Sequence, residues 1–263
     1  MNAFKNTWKQ NTSRGGAVKL LAVAVVFVAI QAGATVAYTD IEAYNYPVGL
    51  PGNGQSGVYT IGNAFTVNSP ITVDDLGMFD ANGIPSTEPI SVAIYSISAV
   101  ADELQSATLA VNPVSFSALN PGTLLPGTST RVLSVPSVTL HPGTYMVVAN
   151  NYGGSGALPY YDTTHAPMGL ISGNTGGGAV SFLGSYKDNG VIALGATLPD
   201  LSDWGYFDTQ LPRMAAGNFS FTFTIVPEAG LFGGAVAVLL GLVYGGRCLW
   251  QGHQRRLASL ADF

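Results

Sequence analysis

Between residues 55 and 226 apolar and polar positions alternate with the period of a β-strand. Phe219, Phe221, Phe223 and Ile225 alternate with Ser220, Thr222, Thr224 and Val226, which predicts a strand over 218–226 with one apolar and one hydroxyl-rich face. Ile71 and Val73 alternate with Thr72 and Asp74, and Leu76 and Met78 resume out of phase, so Asp74-Asp75 carries the signature of a β-bulge. Ile90, Val92 and Ile94 alternate with Ser91, Ala93 and Tyr95. Two further apolar runs, Val132 to Leu140 and Tyr145 to Ala149, are joined by His141-Pro142-Gly143, a tight-turn sequence. Helical periodicity with a cap and a dozen breaker-free residues is missing throughout; Ala99 to Leu109 is the one stretch that reads equally as helix or loop. Short strands separated by Gly, Pro, Asn and Ser predict an all-β fold, an antiparallel sandwich or jelly roll spanning residues 38–226. Residues 151–178 and 200–214 read as long loops, and loops of that length are usually functional or mobile.

Two stretches break the pattern, one at each end. Lys5, Lys9, Arg14 and Lys19 precede Leu20 to Ile30, an 11-residue apolar run, and Ala32-Gly33-Ala34 and Thr35-Val36-Ala37 follow. A basic start, a short apolar segment and small residues at −3 and −1 predict a secretory signal peptide over 1–37, cut after Ala34 or Ala37. At the other end, Ala229 to Gly246 is 18 residues without a charge, about 27 Å as a helix against a hydrocarbon core of about 30 Å. Leu231, Phe232, Val236, Val238, Leu239, Leu240, Leu242 and Val243 would line every face of that helix, which suits lipid better than a one-sided core. Arg247, Arg255 and Arg256 follow and place the C-terminus in the cytoplasm, with 257–263 as its tail. A transmembrane helix over about 229–246 is expected.

Charge and cysteine usage agree with export. Residues 38–226 hold thirteen acidic and three basic side chains, a formal charge of −10 that the whole-chain value of −5 conceals. That balance disfavours nucleic acid as a partner. The single cysteine, Cys248, lies beyond the apolar span, so the domain has neither a disulfide nor a thiolate metal site.

The order Val226-Pro227-Glu228-Ala229, apolar span, arginine cluster, end of chain resembles the PEP-CTERM sorting signal of exported bacterial proteins, with Ala229 in place of the second proline. The resemblance covers about 35 residues, 227–256 and their immediate neighbours. It implies a Gram-negative-type envelope, an exosortase-type processing enzyme as partner, tethering to the inner membrane during sorting, and delivery to the cell surface or to an extracellular polysaccharide matrix. More loosely, Ile71 to Asp80, Val92 to Tyr95 and Val138 to Tyr145 look like the β-sandwich ectodomains carried by such anchors, most of which have no assigned activity.

The search for chemistry yields little. His141 lies in a turn and His165 in Thr-Thr-His-Ala-Pro; neither sits in a catalytic constellation. Gly153-Gly154-Ser155-Gly156 lacks the spacing of a nucleophile elbow. No catalysis and no obligatory cofactor are therefore expected, although paired carboxylates among the thirteen acids leave a secreted glycan-active enzyme as an alternative. Asp74, Asp75, Asp80 and Asn82 supply hard oxygens near a turn and make Ca2+ the candidate cofactor. Tyr160, Tyr161, Trp204 and Tyr206, with Tyr152 and Phe207, are candidates for stacking on sugar rings. Together these two sets define a further alternative, a calcium-dependent carbohydrate-binding or adhesion module.

Overall fold

The computed structural model describes residues 35–53, 57–81, 88–100, 103–153, 159–162, 171–199, 201–207 and 214–225. These belong almost entirely to one compact unit, Ala37–Thr224. A second unit comprises Met1–Val36 and Ile225–Phe263; the expected signal peptide up to residue 34, the sorting motif and the span fall there, outside the described residues.

In chain order the first strands are β1 (Val36–Glu42), β2 (Tyr44–Asn45), β3 (Tyr59–Val67), β4 (Ile71–Phe79) and β5 (Ile90–Val100). Then come β6 (Glu103–Phe116), β7 (Thr123–Leu124), β8 (Thr130–Leu140), β9 (Gly143–Tyr152) and β10 (Tyr161–Asp162). β11 (Ser172–Gly173), β12 (Val180–Asp188), β13 (Gly205–Phe207), β14 (Met214–Ala215) and β15 (Gly217–Ile225) follow, and among the described residues a 3-10 turn lies at Leu201–Asp203. One sheet has the order β1-β15-β4-β8-β7 and another β13-β12-β3-β9-β5-β6; β10-β14 and β11-β2 form two short ribbons. The all-β expectation holds: the sheets are antiparallel and curl into a half-barrel.

The two large sheets share one core. Ile71, Val73, Leu76 and Met78 of β4 and Phe219, Phe221 and Phe223 of β15 meet Ile61, Phe65 and Val67 of β3, Val92 and Ile94 of β5, and Val147 and Ala149 of β9. Aromatic rings form a continuous ladder through it. Tyr38 stacks on Phe223 at 4.8 Å, Phe221 lies 6.2 Å from Phe223 and 5.9 Å from Phe219, and Phe219 is 4.6 Å from Phe65. On the opposite side of β15, Asn218 and Ser220 are buried while Thr222 and Thr224 are more open, so the strand packs on one side only in its C-terminal half.

The six-stranded sheet is buried on both faces. Met146, Val147, Val148 and Ala149 are all fully buried, as are Val92, Ala93, Ile94 and Tyr95. Ala93, Tyr95, Met146 and Val148 face a second cluster with Ile192, Leu198 and Trp204. The chain from 190 to 204 therefore covers the outer face. It is pinned there by Thr60, whose hydroxyl donates to the Gly190 carbonyl at 2.8 Å and accepts from the Ile192 N–H at 2.9 Å. Asn150 Nδ2 donates to the Ile192 carbonyl and Tyr95 donates to that of Gly195, both at 2.9 Å. A sheet covered on both sides explains why β9 reads as an unbroken apolar run.

The expected bulge is present. The register of β4 with β15 skips Asp74, and that with β8 jumps from Val73–Val138 to Asp75–Ser134, leaving Val135-Pro136-Ser137 opposite Asp74. Pro136, which has no N–H to give a ladder, thus sits where none is required. Pro113 does likewise, in the shift between Val92–Val114 and Ile94–Val111.

One expectation is corrected. Within Ala99 to Leu109 the described residues, 99–100 and 103–109, are neither helix nor loop but lie in the β5–β6 pair, with Ala99 opposite Leu104 and Tyr95 opposite Leu109. The expected turn at His141-Pro142 carries the chain from one sheet to the other, since β8 and β9 belong to different sheets. At the N-terminal side β1 already begins at Val36, so the strand includes the last two residues of the 1–37 segment.

Candidate functional site

The segment between β1 and β3 runs through the core on polar anchors. Tyr46 donates its hydroxyl to the Gly217 carbonyl at 2.9 Å, and Tyr152 donates to that of Phe79 at 2.9 Å. Asn218 accepts from the Tyr44 N–H at 3.0 Å and donates to the Tyr44 carbonyl at 2.7 Å. Burial raises the Tyr44 and Tyr152 hydroxyls well above the ordinary tyrosine range, so they stay protonated donors. Asn218-Phe219-Ser220, which matches a glycosylation sequence, is thus strand, with Asn218 fully buried.

Glu42 closes this network. It accepts from the Thr130 hydroxyl and from Asn218 Nδ2. Partial burial raises its carboxyl above the ordinary 4.5, and the two donors pull back against that shift. The folded protein thus takes up this proton at a higher pH than the unfolded chain does. Its contribution to stability is complete below the unfolded value and is lost as pH rises through the folded one. Glu42→Gln is expected to gain stability relative to wild type as pH goes from 4 to 7, measured by urea unfolding. A difference that stays constant with pH contradicts this.

Beside this network the ends of β4, β7 and β8 enclose an open cleft of about 300 Å3, lined by Val48, Gly49, Asp80, Ala81, Leu124 to Ser129 and Arg131. Its polar element is a charge pair. Arg131 Nε donates to Asp80 Oδ2 at 2.6 Å, and the Asp80 side chain is 2% exposed against 19% for Arg131. Arg131 Nη1 reaches the Gly122 carbonyl at 3.4 Å. The walls are fixed by backbone bonds: Leu125 N–H to the Thr130 carbonyl at 2.9 Å, Ser129 N–H to that of Tyr46 at 2.7 Å, and Asp80 N–H to that of Ser129 at 2.8 Å. Ser129 Oγ donates to the Pro47 carbonyl at 3.0 Å, and Pro47 bridges Thr128. Gly49 and Gly127 each have φ of +77° with open space where a Cβ would stand, so the turns they shape leave the cleft clear.

The sequence candidates are dispersed. Asp80 lies in this cleft, but Asp74 and Asp75 are five to six residues back along β4, roughly 20 Å at a strand's rise. Asp74 accepts from Ser137 Oγ at 2.6 Å, and Asp75 from Ser134 Oγ at 2.8 Å. Among the described residues no three of His, Cys, Asp or Glu are grouped to hold a metal. Asp80 is engaged by Arg131, and Asn82 lies outside the described residues.

The aromatic candidates are packed inward rather than displayed. Tyr160 and Tyr161 are 3% and 0% exposed in the core between the sheets, and Trp204 is 5% exposed in the second cluster. Tyr206 lies against Tyr186 at 4.9 Å. The four rings thus belong to two separate cores, as burying large aromatic area dictates.

Arg131 is the residue that sequence reading missed. The available signal was scarcity: it is one of three bases in residues 38–226. Scans of the chain against protein-family models, against curated proteins and against solved structures each return no match.

Proposed function

We propose that the chain is an exported, membrane-tethered, non-catalytic surface or extracellular-matrix protein of a bacterial envelope, sorted by an exosortase-type enzyme. The observation that carries this reading is the ordered tail: Val226-Pro227-Glu228-Ala229, an uncharged span, then Arg247, Arg255 and Arg256. The domain between the two apolar segments is, in this reading, a sandwich or jelly-roll ectodomain, supported by two antiparallel sheets that share one core.

The positions at which the chain enters and leaves that domain support tethering. β1 and β15 are neighbours, with the Ala43 N–H donating to the Phe219 carbonyl at 2.9 Å and Tyr38 stacked on Phe223. These contacts set the two strands antiparallel, so the chain enters at Ala37 and exits after Thr224 at one end of the same sheet. Among the described residues no helix is long and apolar enough to cross a membrane, so the reading rests on 229–246. Its test is membrane fractionation of a Leu239→Asp, Leu240→Asp variant.

A further inference from the structure

We infer that the Asp80–Arg131 cleft is a binding site for a neutral saccharide, holding a vicinal diol on the outer edge of the Arg131 guanidinium without any calcium ion. This goes beyond the export reading and does not depend on it.

The guanidinium is held through Nε, committed to Asp80, and through one Nη1 hydrogen, which reaches Gly122; among the described residues Nη2 has no acceptor. In the planar fork one Nη2 hydrogen shares the Nε edge with Asp80, and the outer end, one Nη1 and one Nη2 hydrogen, is left for a ligand in the cleft. Two adjacent hydroxyl oxygens of a pyranose match the spacing of such a fork. A carboxylate would match it too, and charge decides between them. The Asp80 carboxylate at 2.6 Å neutralises Arg131 locally, and the domain carries −10 overall, so an anion gains no net attraction.

The remaining walls suit a sugar. Val48 and Leu124, 68% and 48% exposed, flank the pair together with Pro126 and offer apolar surface to the C–H face of the ring. The cleft is already shaped by the 47–50 and 125–130 turns and their hydrogen bonds, which lowers the ordering cost of binding.

The test is saturation-transfer NMR on the full-length chain in detergent, with the methyl glycosides of glucose, mannose and galactose, and with glucuronate as the charged comparison. At least one neutral glycoside is expected to receive transfer, unchanged by EDTA. Val48→Trp, which fills the cleft from an exposed position, and Arg131→Lys, which keeps the charge but loses the fork, are each expected to weaken binding at least tenfold. Absence of transfer to every neutral glycoside overturns the assignment. So do binding that survives both variants, dependence on calcium, or tighter binding of glucuronate than of any neutral glycoside.

Discussion

Asp at both Leu239 and Leu240 is expected to move the protein from the membrane fraction to the soluble fraction. These residues lie near the middle of the uncharged stretch 229–246. An aspartate at the centre of a membrane helix costs about 2.5–3.5 kcal/mol, and each lost leucine removes roughly half a kcal/mol of favourable insertion. The pair therefore costs about 6–8 kcal/mol, more than a ten-thousandfold shift in partitioning at 1.4 kcal/mol per decade. Leu119→Asp is the control: Leu119 is 99% exposed on the described domain, and its replacement should leave the fractionation unchanged. A double variant that stays with the membrane removes the anchor from the account.

Arg131→Met is expected to destabilise the domain by about 3 kcal/mol, because it leaves the Asp80 carboxylate buried without its counter-charge. The low end of the range applies, since Asp80 keeps further interactions. For a domain of this length that corresponds to a fall of roughly 10 °C in Tm. Adding Asp80→Asn should restore part of the loss, because the uncompensated charge is then gone; purely additive effects would show that the pair is not coupled. Thermal unfolding followed by near-UV circular dichroism, dominated by the buried tyrosines, reads both variants.

Local pattern carried the strands whose surroundings are simple. β15 turns Phe219, Phe221 and Phe223 to the shared core, and they alternate accordingly. The phase break at Asp74-Asp75 became a bulge because an out-of-phase strand must either bulge or bury an aspartate. What stayed hidden depends on distant partners. Residues 99–109 contain nothing that forbids a helix, and 99–100 and 103–109 form strand because Ala99 pairs with Leu104 and Leu109 with Tyr95. The turn at His141-Pro142 is local, but that it passes the chain from one sheet to the other is set by the distant partners of β8 and β9. The aromatics near 160 and 204 looked available because loops are usually exposed. Here the 190–204 segment roofs the outer face of a sheet and draws Trp204 inward. Arg131 and Asp80 are 51 positions apart, and no local signal joins them.

The central claim, that the domain is exported and its C-terminal end remains inside, is tested most directly at Cys248, the only cysteine of the chain. In spheroplasts of a Gram-negative host, a membrane-impermeant maleimide should leave Cys248 unlabelled until the inner membrane is permeabilised. A Leu119→Cys, Cys248→Ser variant should react before permeabilisation. Labelling of Cys248 in intact spheroplasts, or protection of the cysteine introduced at position 119, would contradict the account.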